Sequence, residues 1–290
     1  MPNPVAPAGA PLPAAPAGAM LPVGSYEGQV VLVTGGGTGL GKAIAVEFAR
    51  LGAGVAIASR NEEHRAAGIA AIEGVGGTAF AVEVDVREPE SIAAAFEAIE
   101  SALGPVTVLV NNAAANFPVA AADLSPNGWR AVERIVLDGT FFCSRELHHR
   151  LVAAGRSGSI VNIVSTAAET GGPGMVHSAS AKAGVVSMTK TLAVEWAPDG
   201  VRVNAIAPGL FPHDDMPDAI KAARDPSLDA SRQPAGRSGE PRELGWAATY
   251  LCSPFASFIT GHVLVVDGGN WLRRDFAMPR FTPIKEQFGR

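Results

Sequence analysis

The sequence predicts an α/β protein built on a single doubly wound parallel sheet with helices on both faces. Short apolar runs alternate along the chain with stretches of helical period, the pattern of repeated β-α units. The runs are apolar throughout, not alternately polar, which means that both sheet faces are covered. A glycine cluster also lies between the first run and the first helical stretch, where such folds turn tightly.

Gln29–Thr34 is the first strand, and glycine ends it. Leu40, Ala43, Ile44, Phe48 and Leu51 then follow the i, i+3, i+4 spacing of a helix. Val55–Ser59 is the second strand, Glu62–Glu73 the second helix, Ala79–Val84 the third strand, Pro89–Leu103 a helix and Val106–Val110 the fourth strand. Gly128–Ala154 reads as one or two helices. Ser159–Val164 is a fifth strand, Ser178–Trp196 a long helix, Arg202–Ala207 a sixth strand, Glu243–Cys252 a helix and His262–Val266 a last strand.

Apolar residues make up 47% of the 290 and charged residues 18%, enough to bury a large core and to exclude a wholly disordered chain. A net charge of −5 argues against a broad nucleic-acid-binding surface. Cys143 and Cys252 alone support neither a disulfide framework nor a cysteine metal site. A reducing, cytoplasmic setting is the expectation. No membrane partner is expected, because no 18-residue apolar run lies in the folded part. His148 and His149 are adjacent instead of i, i+4, which argues against a metal pair.

Residues 1–24 carry no charge and contain seven prolines, which interrupt any signal-peptide core. They read as a Pro/Ala-rich flexible tail. Residues 25–270 read as one nucleotide-binding domain, with 210–242 as a substrate lid, and 271–290 as a C-terminal extension. Within the lid, Arg224, Arg232 and Arg237 face either a polyphosphate ligand or solvent. Arg273, Arg274 and Arg280 among Trp271, Phe276 and Phe281 suit a partner subunit, a neighbouring site or the ligand.

Thr34-Gly35-Gly36-Gly37-Thr38-Gly39-Leu40-Gly41 joins the first strand to the first helix. Its glycines let the backbone turn and approach a pyrophosphate, and the helix N-terminus offers unpaired N–H groups and a positive dipole end. This makes the domain Rossmann-type. At the end of the second strand, Ser59-Arg60 replaces the acid that an NAD site uses for the ribose 2′-hydroxyl, and a guanidinium suits a phosphate. The cofactor expectation is therefore NADPH/NADP⁺. Asp85, at the end of the third strand, either accepts from the adenine amine or caps the helix that follows.

Four motifs stand in one order: TGGGTGLG at 34–41, NNAAANF at 111–117, Ser165 followed by Lys182, and Pro208-Gly209. With the sheet pattern, residues 28–270 resemble the short-chain dehydrogenase/reductase superfamily. The resemblance implies that Asn111 steadies the sheet, that Lys182 grips the nicotinamide ribose and that Pro208 and Gly209 lie beside the nicotinamide. It extends the cofactor contacts to Val86, Asn112 and Ala113. It also implies a homotetramer.

The family's tyrosine, four residues before the lysine, is here Ser178; its serine is present as Ser165, and its additional asparagine falls on Val136. Tyr26 and Tyr250 are the chain's two tyrosines, and neither is placed to substitute. Reducing a ketone leaves a basic alkoxide that needs a good acid, which serine is not. An enolate of a thioester is less basic, can be held by neutral donors and can be protonated on carbon by water.

NNAAANF, SASAK at 178–182, AVEW at 193–196, AET at 168–170 and DGGNW at 267–271 are similar to the 2,4-dienoyl-CoA reductases, which use NADPH in breakdown of unsaturated fatty acids. That similarity implies an acyl-CoA substrate, with Asn116 on the thioester oxygen and Lys182, Ser178 and Ser165 completing the network. Two departures are Ala115, where the subgroup has glycine, and Ala167, where some members have tyrosine. The rival expectations are a carbonyl/hydroxyl oxidoreductase acting on another acyl-CoA or steroid-like substrate, and a dinucleotide-binding protein without catalysis.

Overall fold

The computed structural model describes residues 18–216 and 233–273. Most of the expected tail, the central part of the expected lid with Arg224 and Arg232, and nearly all of the C-terminal extension lie outside the described residues. Seven strands form one parallel sheet in the order β3-β2-β1-β4-β5-β6-β7. They are β1 (Val30–Thr34), β2 (Gly54–Ala58), β3 (Thr78–Val82), β4 (Val106–Asn111), β5 (Gly158–Ile163), β6 (Val201–Pro208) and β7 (Val263–Val266).

Why the strands are apolar throughout is visible in the packing. Val31, Val33, Val55, Ile57, Val108, Val110, Val161 and Ile163 point to one face of the sheet. There they meet α1 (Gly39–Arg50), α2 (Glu62–Glu73) and α8 (Pro241–Cys252). Val30, Leu32, Ala56, Ala58, Leu109, Ile160 and Val203 point the other way, onto α3 (Pro89–Leu103), α5 (Gly139–Ala153) and the end of α7 (Val176–Trp196). Most strand residues are thus apolar toward one helical layer or the other.

The stretch read as one or two helices is α4 (Pro126–Glu133), a wide π turn at Arg134–Asp138 and then α5. Ser125 starts α4 by accepting the Gly128 N–H at 3.0 Å, with Pro126 in the first turn, where its missing N–H costs nothing. Val136, in the place of the family's extra asparagine, is buried in that π turn, and its carbonyl accepts from Thr140 Oγ1 at 2.6 Å. The sequence reading omitted the single-turn helix α6 (Ala167–Thr170) and began α7 two residues late.

A buried polar chain crosses the middle of the sheet. Asn111 Nδ2 donates to Ser144 Oγ and to Asn162 Oδ1, both at 2.9 Å, and Asn162 Nδ2 donates to Thr189 Oγ1 at 2.9 Å. This ties β4, β5, α5 and α7 together and gives Asn111 the sheet-steadying contacts that the resemblance implied. Tyr26 is fully buried on the other face, edge-on to Phe48, with its hydroxyl donating to the Thr249 carbonyl at 2.5 Å. Tyr250 packs in the same cluster, so both tyrosines are spent on the α1–α8 layer. No described helix is long and apolar enough to cross a membrane.

Candidate active site

The chain runs β1-β2-β3 outward on one side and β4 to β7 outward on the other, so the order reverses between β1 and β4. At such a switch point the connections diverge and leave a crevice at the strand C-termini. Thr34 closes its floor. Its Oγ1 accepts the N–H groups of Asn112 and Ala113, both at 3.0 Å, and Asn112 Nδ2 donates to the carbonyls of Thr34 and Gly35 at 3.1 and 3.2 Å. The sheet thereby locks the glycine loop against the end of β4.

The loop leaves no room for side chains. A β-carbon on Gly37 would stand 2.1 Å from the His64 carbonyl oxygen, and one on Gly41 would stand 2.3 Å from Asn112 Nδ2. Glycine here lets α1, α2 and the β4 end converge. The first backbone bond of α1 runs from the Lys42 N–H to the Thr38 carbonyl, so the N–H groups of Gly39, Leu40 and Gly41 lie ahead of the helix's own ladder. Thr38, Gly39 and Leu40 open onto a cleft of about 740 Å³ that also reaches Gly35, Ser59, Arg60, Asp85, Val86, Asn112 and Ala113.

At the far end of that cleft the sequence reading needs extending. Arg60 is half exposed, and its guanidinium lies 3.8 Å from Asp85. Asp85 is engaged on both oxygens by Arg87, at 2.8 Å from Nε and by a short contact from Nη2. The Arg87 hydrogen bond holds the Asp85 carboxyl down at about 2. Asp85 is thus an arginine anchor as well as a cleft-lining acid. Arg65 lies underneath, with Nη1 donating to the Ser59 and Arg60 carbonyls at 2.7 and 3.0 Å. Neither Arg65 nor Arg87 was singled out from sequence; an arginine seven residues beyond the strand end and an Asp-x-Arg step were the available signals.

Beyond the lining of that cleft, Lys182 is 7% exposed, and its ammonium donates to the Ile163 carbonyl. Burial pushes it down to about 8. Ser178 is one helical turn earlier on the same strip of α7 and half-buried. Ser165 Oγ accepts the Ala167 N–H at 3.2 Å and so starts α6, which leaves its proton to donate. Asn116 is exposed, with Nδ2 directed at Met175 Sδ at 3.0 Å. Its loop is pinned to the start of α7 by the Val119 N–H on the Gly174 carbonyl at 2.9 Å and by Phe117 edge-on to His177 at 4.5 Å. Asn116 therefore lies against the N-terminal turn that carries Ser178.

Pro208 ends β6, and the N–H of the following Gly209 bonds the Val266 carbonyl at 2.9 Å. Arg237, offered from sequence to a polyphosphate or to solvent, forms a forked pair with Glu243 at 2.8 and 2.9 Å. His148 stacks on Trp196 and bonds Asp199 at 2.8 Å. No cluster of metal ligands occurs among the described residues.

A glycine-cradled crevice at the switch point, with backbone donors at a helix N-terminus and Arg60 at one end, fits a dinucleotide in size and donor chemistry, while Lys182, Ser178, Ser165 and Asn116 stand outside its lining. The fold and site define a dinucleotide-binding α/β oxidoreductase. Residues 35–270 match the family model described as enoyl-(acyl carrier protein) reductase. The chain belongs to the short-chain dehydrogenase/reductase family, whose members bind a nicotinamide dinucleotide.

A probable 2,4-dienoyl-CoA reductase [(2E)-enoyl-CoA-producing] of Bacillus subtilis is 40% identical over 85% of this chain and 98% of its own. A crystallised short chain dehydrogenase from Bacillus anthracis is 42% identical with a TM-score of 0.77, over 86% of this chain and 98% of that one. A putative 2-deoxy-D-gluconate 3-dehydrogenase from Agrobacterium tumefaciens with bound NADP is 37% identical with a TM-score of 0.77, over 86% and 99%.

Proposed function

We propose that the protein is an NADPH-dependent reductase of conjugated enoyl- and dienoyl-CoA thioesters, of the 2,4-dienoyl-CoA type. One observation carries the reading: α7 keeps Lys182 and presents Ser178 one turn earlier, with Tyr26 buried and Tyr250 half-buried on the opposite sheet face. A site that has its binding cation but no phenol suits a product anion spread over several atoms. The 40% identity to a probable 2,4-dienoyl-CoA reductase supports the same choice.

The dinucleotide, when bound, supplies a hydride. Taken up at the far carbon of the conjugated chain, that hydride would shift the π electrons onto the thioester oxygen, and the dienolate so formed would take a proton on carbon from water. Asn116 Nδ2 is the donor for that oxygen and exchanges its weak thioether acceptor for a charged one. The Lys182 ammonium grips the nicotinamide ribose and adds positive charge beside the forming anion. The hydroxyls of Ser178 and Ser165 are further donors along the same wall. Arg60 and Ser59 take the 2′-phosphate that distinguishes NADPH; Thr34, Gly35 and Thr38 to Leu40 form the pyrophosphate cradle. Asp85 and Val86 would flank the adenine, Asn112 and Ala113 the adjoining ribose, and Pro208 and Gly209 the nicotinamide.

The test is to mix the protein with NADPH and a 2,4-dienoyl-CoA and follow NADPH absorbance. Turnover is expected, with loss in Lys182→Ala and Asn116→Ala. Reaction confined to ketoacyl substrates, or dinucleotide binding with no substrate reduced, would overturn the reading. Arg60→Ala is expected to weaken NADPH much more than NADH; equal losses would overturn the cofactor assignment.

A further inference from the structure

The first turn of α7 buries a polar ring. His177 is fully buried, and neither Nδ1 nor Nε2 completes a hydrogen bond among the described residues. An apolar side chain of similar shape would fill the place without leaving a polar group unsatisfied. Burial pulls the imidazole below its ordinary value, against a weaker opposing pull from the Met175 backbone. α4, the π turn and α6 pack against α7 and carry Arg130, Glu133, Arg134, Asp138 and Glu169, and α7 itself carries Lys182. None of them is a source of that shift. The ring is therefore held neutral, where an imidazolium would have neither solvent nor a counter-charge.

The aromatic partner of that ring is Phe117, edge-on to it with centroids 4.5 Å apart. Phe117 is also close to α4: a β-carbon on Gly128 would stand 3.1 Å from its Cζ. Its neighbour in the chain is Asn116, whose Nδ2 is directed at Met175 Sδ, two residues ahead of His177. Phe117 is 40% exposed, so its seat is set by the buried ring and by α4.

We propose that His177 is a positioning residue for the reaction: the neutral ring holds Phe117, and through it the Asn116 amide, against the first turn of α7, and protonation of the ring releases both. This rests on reading Asn116 as the thioester donor. An imidazolium must be solvated, and Phe117 is the neighbour that swings aside to admit water. Its departure carries Asn116 away from the oxygen on which charge develops. A donor misplaced there acts on kcat more than on KM, because its bond strengthens in the transition state.

Turnover of the full chain with NADPH and a 2,4-dienoyl-CoA, followed from about pH 5 to 8, decides. The unmodified protein is expected to lose kcat below about pH 6.5. His177→Leu fills the site but takes no proton; it is expected to keep kcat at neutral pH within about three-fold and to lack the acid loss. His177→Ala is expected to lower kcat about ten-fold at every pH, with KM and NADPH affinity little changed. Phe117→Ala, on the exposed side of the pair, is expected to repeat that loss without opening the core, and thermal melting reports whether each variant is folded. In an Asn116→Ala background, His177→Ala is expected to cost nothing further. Additive losses, or full turnover in both His177→Ala and Phe117→Ala, overturn the positioning role and leave the reading of Asn116 standing. An acid loss unchanged in His177→Leu overturns the release by protonation. Full turnover in Asn116→Ala, or an unmodified protein that does not reduce the dienoyl-CoA, overturns the proposal together with the reading on which it rests.

Discussion

The two ends of the crevice are built in different ways. At the nucleotide end the shape is fixed before any ligand arrives: four hydrogen bonds join Thr34 and Gly35 to Asn112 and Ala113, the glycines are packed against His64 and Asn112, and Arg65 and Arg87 hold Ser59, Arg60 and Asp85 in place. At the reaction end Lys182 is anchored, but Asn116 is exposed with a thioether acceptor and the Ser165 hydroxyl is turned onto its own helix start. The first end recognises a constant ligand through backbone geometry. The second depends on substrate groups to complete its hydrogen bonds, and it is here that a member of the family can change chemistry by one substitution, as at Ser178.

That contrast can be broken most forcefully at Gly37. Gly37→Ala puts a methyl against the His64 carbonyl, and dinucleotide binding is expected to fall about 100-fold or more, with a lower melting temperature from the forced separation of α1 and α2. Retained binding in a titration would show that the loop is not rigid.

Lys182→Met should split stability from activity. Turnover is expected to vanish while the fold gains about 2 kcal/mol at pH 7, measured by denaturant unfolding, because a buried ammonium is replaced at the cost of one hydrogen bond to Ile163. The pH dependence follows in sign. Lys182 sits at about 8 in the folded state against 10.5 when exposed, so the folded protein binds fewer protons across that window. Its penalty is fully present below about pH 8 and is relieved as pH rises toward 10.5; the variant should lack this rise.

Asn111→Ala leaves Ser144 and Asn162 short of a partner and is expected to cost about 1–3 kcal/mol in the same measurement, with little change in dinucleotide affinity. Ser178→Ala should be the mildest change. Melting is expected to stay within about 0.5 kcal/mol and kcat to fall about ten-fold or less, since the proton comes from water. Complete loss of turnover would instead make Ser178 the proton donor.

Much of this was legible in the sequence. Continuous apolar runs identified all seven strands, because a strand covered on both faces has few polar positions to spare. The glycine loop and Arg60 were singled out from their places at strand ends, and the lysine of α7 from the resemblance to the short-chain dehydrogenase/reductase superfamily. Helix starts were shifted by a residue or two, and the π turn at Arg134–Asp138 was missed, since both depend on what a segment packs against and not on its own pattern.

The sequence by itself determined the sheet, its two helical layers and the chemistry of the nucleotide turn, all of which follow from local period and residue type. Tertiary structure decided that Asp85 anchors Arg87, that Arg237 belongs to Glu243, and that His213 and Asp215 come to the start of α1. Asp215 meets Gly39 across 176 residues of chain. Such a meeting is set by where β6 ends in the sheet, and no local pattern encodes it.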